Sequence, residues 1–279
     1  KMSTELEQLM LTLEDKTKAT KTNYKSAYKK LRKVVEKDFA ELSEDDLING
    51  IKTSDNPNSQ QATINVAILV YKSLDKSVEK LIKLREENKQ KIKLLIKAKN
   101  GALCVSLPSY NQLIGHLDGL YEASKWQEYI ICYLLININC RNKDLNIEFV
   151  SRKGDMLDKT RNYIWFNLLK KNITLVRNEY KTVGTYGQKV NLITNAFFFN
   201  AVKKYMAAIK HEPTNLLIPN ESQIAYYIQK STFDQIGSSN YMKICVNHFR
   251  DNLNKITEIS ENRGTDIQTI LENYDVCSQ

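Results

Sequence analysis

The 279-residue chain has few of the residues that break helices: 4 prolines and 9 glycines. That scarcity leaves little room for a loop-rich fold and predicts much helix. Metal ligands are sparse too. Three histidines lie scattered at 116, 211 and 248, and the five cysteines (Cys104, Cys132, Cys140, Cys245 and Cys277) form no C-x-x-C pair. No zinc site and no other metal site is expected, and the cysteines read as reduced thiols of an intracellular protein. No repeat of 20 to 50 residues stands out, which argues against a solenoid. The apolar run Ile130 to Ile136 is too short to cross a bilayer, and no signal peptide is visible. A membrane partner is therefore not expected. The location fits the cytoplasm of a prokaryote, or a nucleus or viral factory otherwise.

What the chain does have is positive charge. It carries 41 Lys and Arg against 32 Asp and Glu, a net +9, within an otherwise ordinary 42% hydrophobic and 26% charged composition. This balance favours a polyanionic partner such as nucleic acid. About +6 of that charge lies in the first hundred residues, which predict a small all-helical domain over 1–100. Leu6, Leu9, Met10 and Leu13 repeat at helical spacing. A basic amphipathic helix is predicted from Asn23, after Thr22, with Tyr24, Tyr28, Leu31 and Val35 on one face and Lys25, Lys29, Arg32 and Lys33 largely off it. Ser43 starts a further helix through Leu47 and Ile51, residues 54–60 read as loop, and Thr63 opens the next helix. A second basic cluster, with Lys89, Lys91 and Lys93, falls where a linker should be. Such lysines most often form a solvated face, and they also suit a phosphate backbone.

The stretch 101–109 breaks the pattern and marks a second domain over 101–279. Pro108 and Ser109 start a helix at Tyr110. An apolar core helix over 126–140 then delivers Arg141 to its rim, with Asp144 three residues on. By itself that pair reads most simply as a structural cap. Runs at 163–166, 173–176 and 189–193 predict strands, the last two forming a β-hairpin around Gly184 and Gly187, with Lys181 near its turn. A helix around 241–253 carries Asn247 and Arg250 on one face, with His248 pointing elsewhere. Gly264 marks a turn, Thr265 or Asp266 caps a short helix, and Tyr274 lies ten residues past the glycine.

Taken together, Arg141-x-x-Asp144-Leu145, Tyr180-Lys181-Thr182, the helical Arg250 and Gly264 to Tyr274 resemble, in order, the active-site boxes of the tyrosine recombinases of the phage-integrase type. Lys21-Thr22-x-Tyr24 and Ala62-Thr63-x-Asn65 resemble the helix starts of that family's N-terminal core-binding domain. The resemblance implies a mainly α fold with a small antiparallel β-sheet (α+β), in which a helical DNA-clamp domain precedes the catalytic domain. Two positions depart from the pattern: Asn247 stands where the family has histidine, and Thr265 where it has histidine or tryptophan. Neither side chain shuttles protons near neutral pH, and His248 is the alternative imidazole.

The resemblance also implies a chemistry. Tyr274 attacks a DNA phosphodiester and forms a 3′-phosphotyrosyl bond without cofactor or metal. Arg141 and Arg250 clamp the phosphate oxygens, Lys181 protonates the leaving 5′ oxygen, Asp144 orients Arg141, and Asn247 and Thr265 complete the cradle. The implied partner is double-stranded DNA, bound by a homotetramer and contacted through Lys25, Lys29, Lys33, Lys89, Lys91 and Lys93. Two other outcomes fit the same residues: a DNA-binding relative that has lost turnover, and a strand-passing enzyme of the type IB topoisomerase plan.

Overall fold

The computed structural model describes residues 4–35, 37–210 and 215–277; His211 lies outside the described residues. The chain divides into two compact units, residues 1–99 and 100–279.

The first unit is helical: α1 (Thr4–Leu11), α2 (Lys18–Val34), α3 (Glu44–Lys52), α4 (Pro57–Ser73) and the start of α5 (Glu79–Ser106). Its core gathers Leu9, Leu31, Leu47, Ile64, Val66 and Leu81. Two helices begin earlier than the sequence suggested. Thr17 caps α2, its hydroxyl accepting from the Thr20 amide. Asn56 caps α4, accepting from the amides of Asn58 and Ser59. Pro57 at the first helical position lacks an N–H that would be unsatisfied there anyway, so the proline starts this helix instead of marking a loop. Lys25, Lys29 and Lys33 are exposed at four-residue spacing along α2.

The expected break at Gly101 is absent. α5 runs unbroken to Ser106, and the boundary between the units falls inside it. A glycine inside a helix costs only about 1 kcal/mol relative to alanine, and the strong helix formers of Lys91 to Ala98 outweigh it. Lys89, Lys91 and Lys93 are therefore exposed helix residues, not residues of an irregular linker. Lys89 pairs with Glu86 at 2.9 Å.

The second unit is built on α7 (Trp126–Asn137), whose residues from Tyr129 to Ile136 are all buried. α6 (Tyr110–Glu122), α9 (Ala196–Ala208), α10 (Ile224–Ser231) and α11 (Ser238–Phe249) pack around it. As expected, α6 begins at Ser109, in a reciprocal capping box with Gln112. Two more helices, α12 (Leu253–Arg263) and α13 (Ile267–Tyr274), close a smaller apolar cluster of Met242, Val246, Ile256, Ile259 and Ile270.

A four-stranded sheet in the order β1–β2–β3–β4 completes the unit: β1 (Ile147–Val150), β2 (Asn162–Asn167), β3 (Asn172–Arg177) and β4 (Lys189–Ile193). The β3–β4 pairing is antiparallel, with Arg177 opposite Lys189. The sheet as a whole is mixed, not antiparallel, because β1 and β2 are parallel; the segment 151–161 between them is long enough to carry the chain back across, which a hairpin turn is not. The fold is thus mainly α with a small sheet. Among the described residues no helix is long and apolar enough to cross a membrane.

Candidate active site

The end of α7 sets the site. Asn139 adopts a left-handed conformation, φ 55°, and its side chain donates to the Ile136 carbonyl. Asparagine tolerates this conformation better than most residues. The helix stops there, at Asn137 instead of 140, and the chain turns outward to Arg141. The backbone N–H of Arg141 donates to Asp144 Oδ2 at 3.0 Å, so Asp144 fixes Arg141 through its main chain. The ionic partner of Asp144 is another residue, Arg177, at 3.3 Å. Both of these side chains are 0% exposed. The second Arg177 amino group donates to Asn191 Oδ1 at 2.9 Å. Asp144→Ala would leave the Arg177 guanidinium buried without its counter-ion. It is expected to lower stability in urea unfolding by about 3–5 kcal/mol.

The turn between α12 and α13 supplies a third guanidinium. Gly264 has φ 59°, and a Cβ there would sit 2.9 Å from Thr182 Oγ1, 3.0 Å from Tyr180 Cε2 and 3.1 Å from Lys189 Cε. Glycine is required both by the conformation and by this close approach. The Thr182 hydroxyl donates to the Gly264 carbonyl at 2.6 Å, so the β3–β4 connection is docked onto the turn. Just before the glycine, Arg263 is 5% exposed. It donates to the Asn139 carbonyl at 3.1 Å and to the Tyr274 hydroxyl at 2.9 Å, with its guanidinium 5.0 Å from the tyrosine ring centre. Arg141 in turn donates to the Arg263 carbonyl at 2.5 Å. The remaining donors of the half-buried Arg141 fork make no hydrogen bond to any described residue and stay accessible. Burial, followed by the neighbouring Arg263, holds the Arg141 pKa below the usual arginine range.

Lys189 joins this group from the start of β4. Its ammonium donates to the Glu261 carbonyl and lies over the rings of Tyr180 and Tyr186. Burial, then Arg177, pushes its pKa below that of an ordinary lysine. Arg141, Arg177, Arg263 and Lys189 are thus gathered around Asp144 and Tyr274. The cluster sets four cations against one carboxylate, and the Nε atoms of Arg177 and Arg263, like Asp144 Oδ1, are buried with no partner among the described residues. Such a concentration of cations favours an anion with several oxygen acceptors, because each guanidinium is costly to desolvate unpaired.

The structure brings Arg141, Asp144 and Tyr274 of the sequence-derived set into this group, and places the others differently. Arg250 follows the end of α11, where its described ion pair is with the adjacent Asp251 at 3.7 Å; Arg263 occupies the place beside Tyr274. Lys181 is exposed on the β3–β4 connection, which holds a short helical turn, α8 (Val183–Tyr186), between the two arms of the expected hairpin. Asn247 is engaged on both sides of its amide. It donates to the carbonyls of Lys243 and Tyr274 and accepts from the amides of Val276 and Cys277. It therefore holds the end of α13, not a phosphate cradle. His248 stacks on Tyr110, ring centres 4.2 Å apart. Thr265 follows the Gly264 turn, its main chain tied to Ser260. Arg177 and Lys189 have no distinguishing mark in the sequence. The one available signal was Arg263 standing immediately before a glycine that ends a helix.

The reading of five reduced thiols is also corrected. Cys104 and Cys277 form a disulfide 173 residues apart in sequence, while Cys132, Cys140 and Cys245 are free and buried. Sequence spacing does not reveal a pair brought together by the packing of α5 and the segment after α13. Cys104→Ser is expected to lower stability by about 2–5 kcal/mol, as closing a long loop restricts the unfolded chain; thermal unfolding with and without a dithiol reductant checks it.

No family model matches the chain, and no curated protein matches it in sequence. Among solved structures, a XerA recombinase is similar at 14% identity and a TM-score of 0.40, over 98% of this chain and 93% of that one. A likeness at this level says nothing of activity.

Proposed function

We propose that this chain cuts and rejoins DNA through a covalent tyrosyl intermediate, in the manner of the tyrosine recombinases that its sequence resembles. The observation that carries the proposal is the contact between Arg263 and the Tyr274 hydroxyl, with the free part of the Arg141 fork alongside. In the proposed step the Tyr274 Oη, its phenolic proton passing to solvent, attacks phosphorus and the P–O5′ bond breaks. The phosphate becomes a 3′-phosphotyrosyl diester and the 5′ oxygen leaves as a hydroxyl. Arg141 and Arg263 bind the non-bridging oxygens as charge builds on them, a role that a planar two-donor group fills well. Lys189 gives its proton to the departing O5′, since a lysine with a depressed pKa releases a proton more readily. Attack of a 5′-hydroxyl on the phosphotyrosyl bond reverses the step and seals the strand. The exposed lysines of α2 and α5 contribute phosphate contacts, and assembly on DNA as a tetramer belongs to the same proposal.

Incubating the full chain with a nicked duplex tests the reading, because loss of the short 5′ product prevents religation. A covalent protein–DNA species is expected, absent in Tyr274→Phe. Arg263→Ala is expected to slow its formation about 10²–10³-fold, with partial recovery in Arg263→Lys, whereas Arg250→Ala retains most of the rate.

One observation favours a second reading, DNA binding without turnover. Asn247 is committed to the end of α13 and His248 to Tyr110, so neither offers a proton-transferring group beside Tyr274. Under that reading the nicked duplex is bound and no covalent species forms at any pH.

A further inference from the structure

A separate cavity of about 630 Å³ opens in the second unit, lined in part by Asp118, Tyr121 and Glu122 of α6, Tyr129 and Tyr133 of α7, and Phe197 of α9. The proposed reaction does not use it. Asp118, Tyr121 and Glu122 stand three and four residues apart and share one helix face. Tyr121 meets Tyr129 and Phe197 edge to face, each at 5.2 Å. Part of the wall is therefore a set of aromatic rings fixed by their neighbours, beside Ile114 and Leu117.

Two features give the cavity a sign. Asp118 and Glu122 are exposed, and neither forms an ion pair or hydrogen bond with a described residue. In a chain of net +9 these are carboxylates without a cation. Tyr129 is 4% exposed, yet its hydroxyl makes no hydrogen bond to a described residue. Beyond burial, the groups that act on that hydroxyl are Tyr133, Tyr121 and Asp118. Tyr129 and these three groups all line the cavity, which places a phenol without a described partner in its wall. Ring faces carry partial negative charge and attract cations, most strongly where water is displaced.

We propose that this cavity binds an organic cation, an alkylammonium or guanidinium group. The rings take its apolar flanks and Asp118 and Glu122 its charge. A small free amine and a lysine or arginine side chain of another protein share this chemistry.

The test is a titration of the full chain with tetramethylammonium chloride, methylguanidinium chloride and, as a neutral control of similar size, tert-butanol, at constant ionic strength. Trp126, whose ring lies 5.4 Å from that of Tyr121, serves as the fluorescent reporter. Both cations are expected to give saturable changes with roughly millimolar midpoints, and tert-butanol none. The double variant Asp118→Asn, Glu122→Gln is expected to keep the far-UV circular dichroism and to bind about tenfold more weakly. Short peptides with a central arginine or lysine separate the sources: tighter binding than the free cations assigns a protein partner, and weaker binding a small amine. The proposal is overturned if no cation saturates, if tert-butanol binds as well as they do, or if the folded double variant binds unchanged. None of these outcomes depends on DNA cleavage.

Discussion

Lys189→Ala is expected to slow covalent attachment to an ordinary phosphodiester by about 10²–10⁴-fold, the usual worth of a positioned general acid. The loss should largely vanish when the scissile O5′ is replaced by sulfur, because a thiolate leaves without being protonated. This pairing separates proton donation from phosphate binding: a variant that merely weakened the clamp would stay slow on both substrates. Lys181→Ala is the comparison. Lys181 is exposed, whereas Lys189 is tied to Glu261 and to the tyrosines of the same connection. If sulfur rescues Lys181→Ala and not Lys189→Ala, the proton comes from the connection and not from the strand.

Affinity for duplex DNA should fall about 10³–10⁵-fold between 50 and 200 mM salt, if six to ten phosphates are neutralised. The reason is counterion release, so the slope of log affinity against log salt counts the lysines engaged. Removing Lys25, Lys29 and Lys33 together should flatten that slope by nearly three units. These side chains are exposed along one helix, so the triple variant should fold normally. An unchanged slope would place the contact surface elsewhere.

The sequence and the structure agree best where the signal is periodic or local. The buried run of α7, the Ser109 cap, the Asp266 cap of α13 and the β3–β4 pairing were all legible, because each depends on a few neighbouring residues. Gly264 was legible as a turn, though not for its second role: its missing side chain lets Thr182, Tyr180 and Lys189 approach. The rest of the site depends on contacts between residues far apart in sequence. Arg177 looks like any strand residue until its pairing with the buried Asp144 is seen, 33 positions away. Arg263 reaches Asn139 across 124 positions, and Asn247 holds a segment about 30 residues on. The family resemblance put Arg250 and Asn247 forward, and helical spacing added only that they share a face, not which face meets the rest of the fold.

The account rests on Tyr274, Arg141 and Arg263 meeting at one phosphorus atom. Peptide mapping by mass spectrometry of the species trapped on a nicked duplex tests this most directly. The account predicts a nucleotide mass on the peptide containing Tyr274, on no other of the 15 tyrosines, at a yield that Arg263→Ala lowers at short times. A nucleotide on another residue, Tyr180 for example, or a tightly bound duplex with no adduct anywhere, would contradict it.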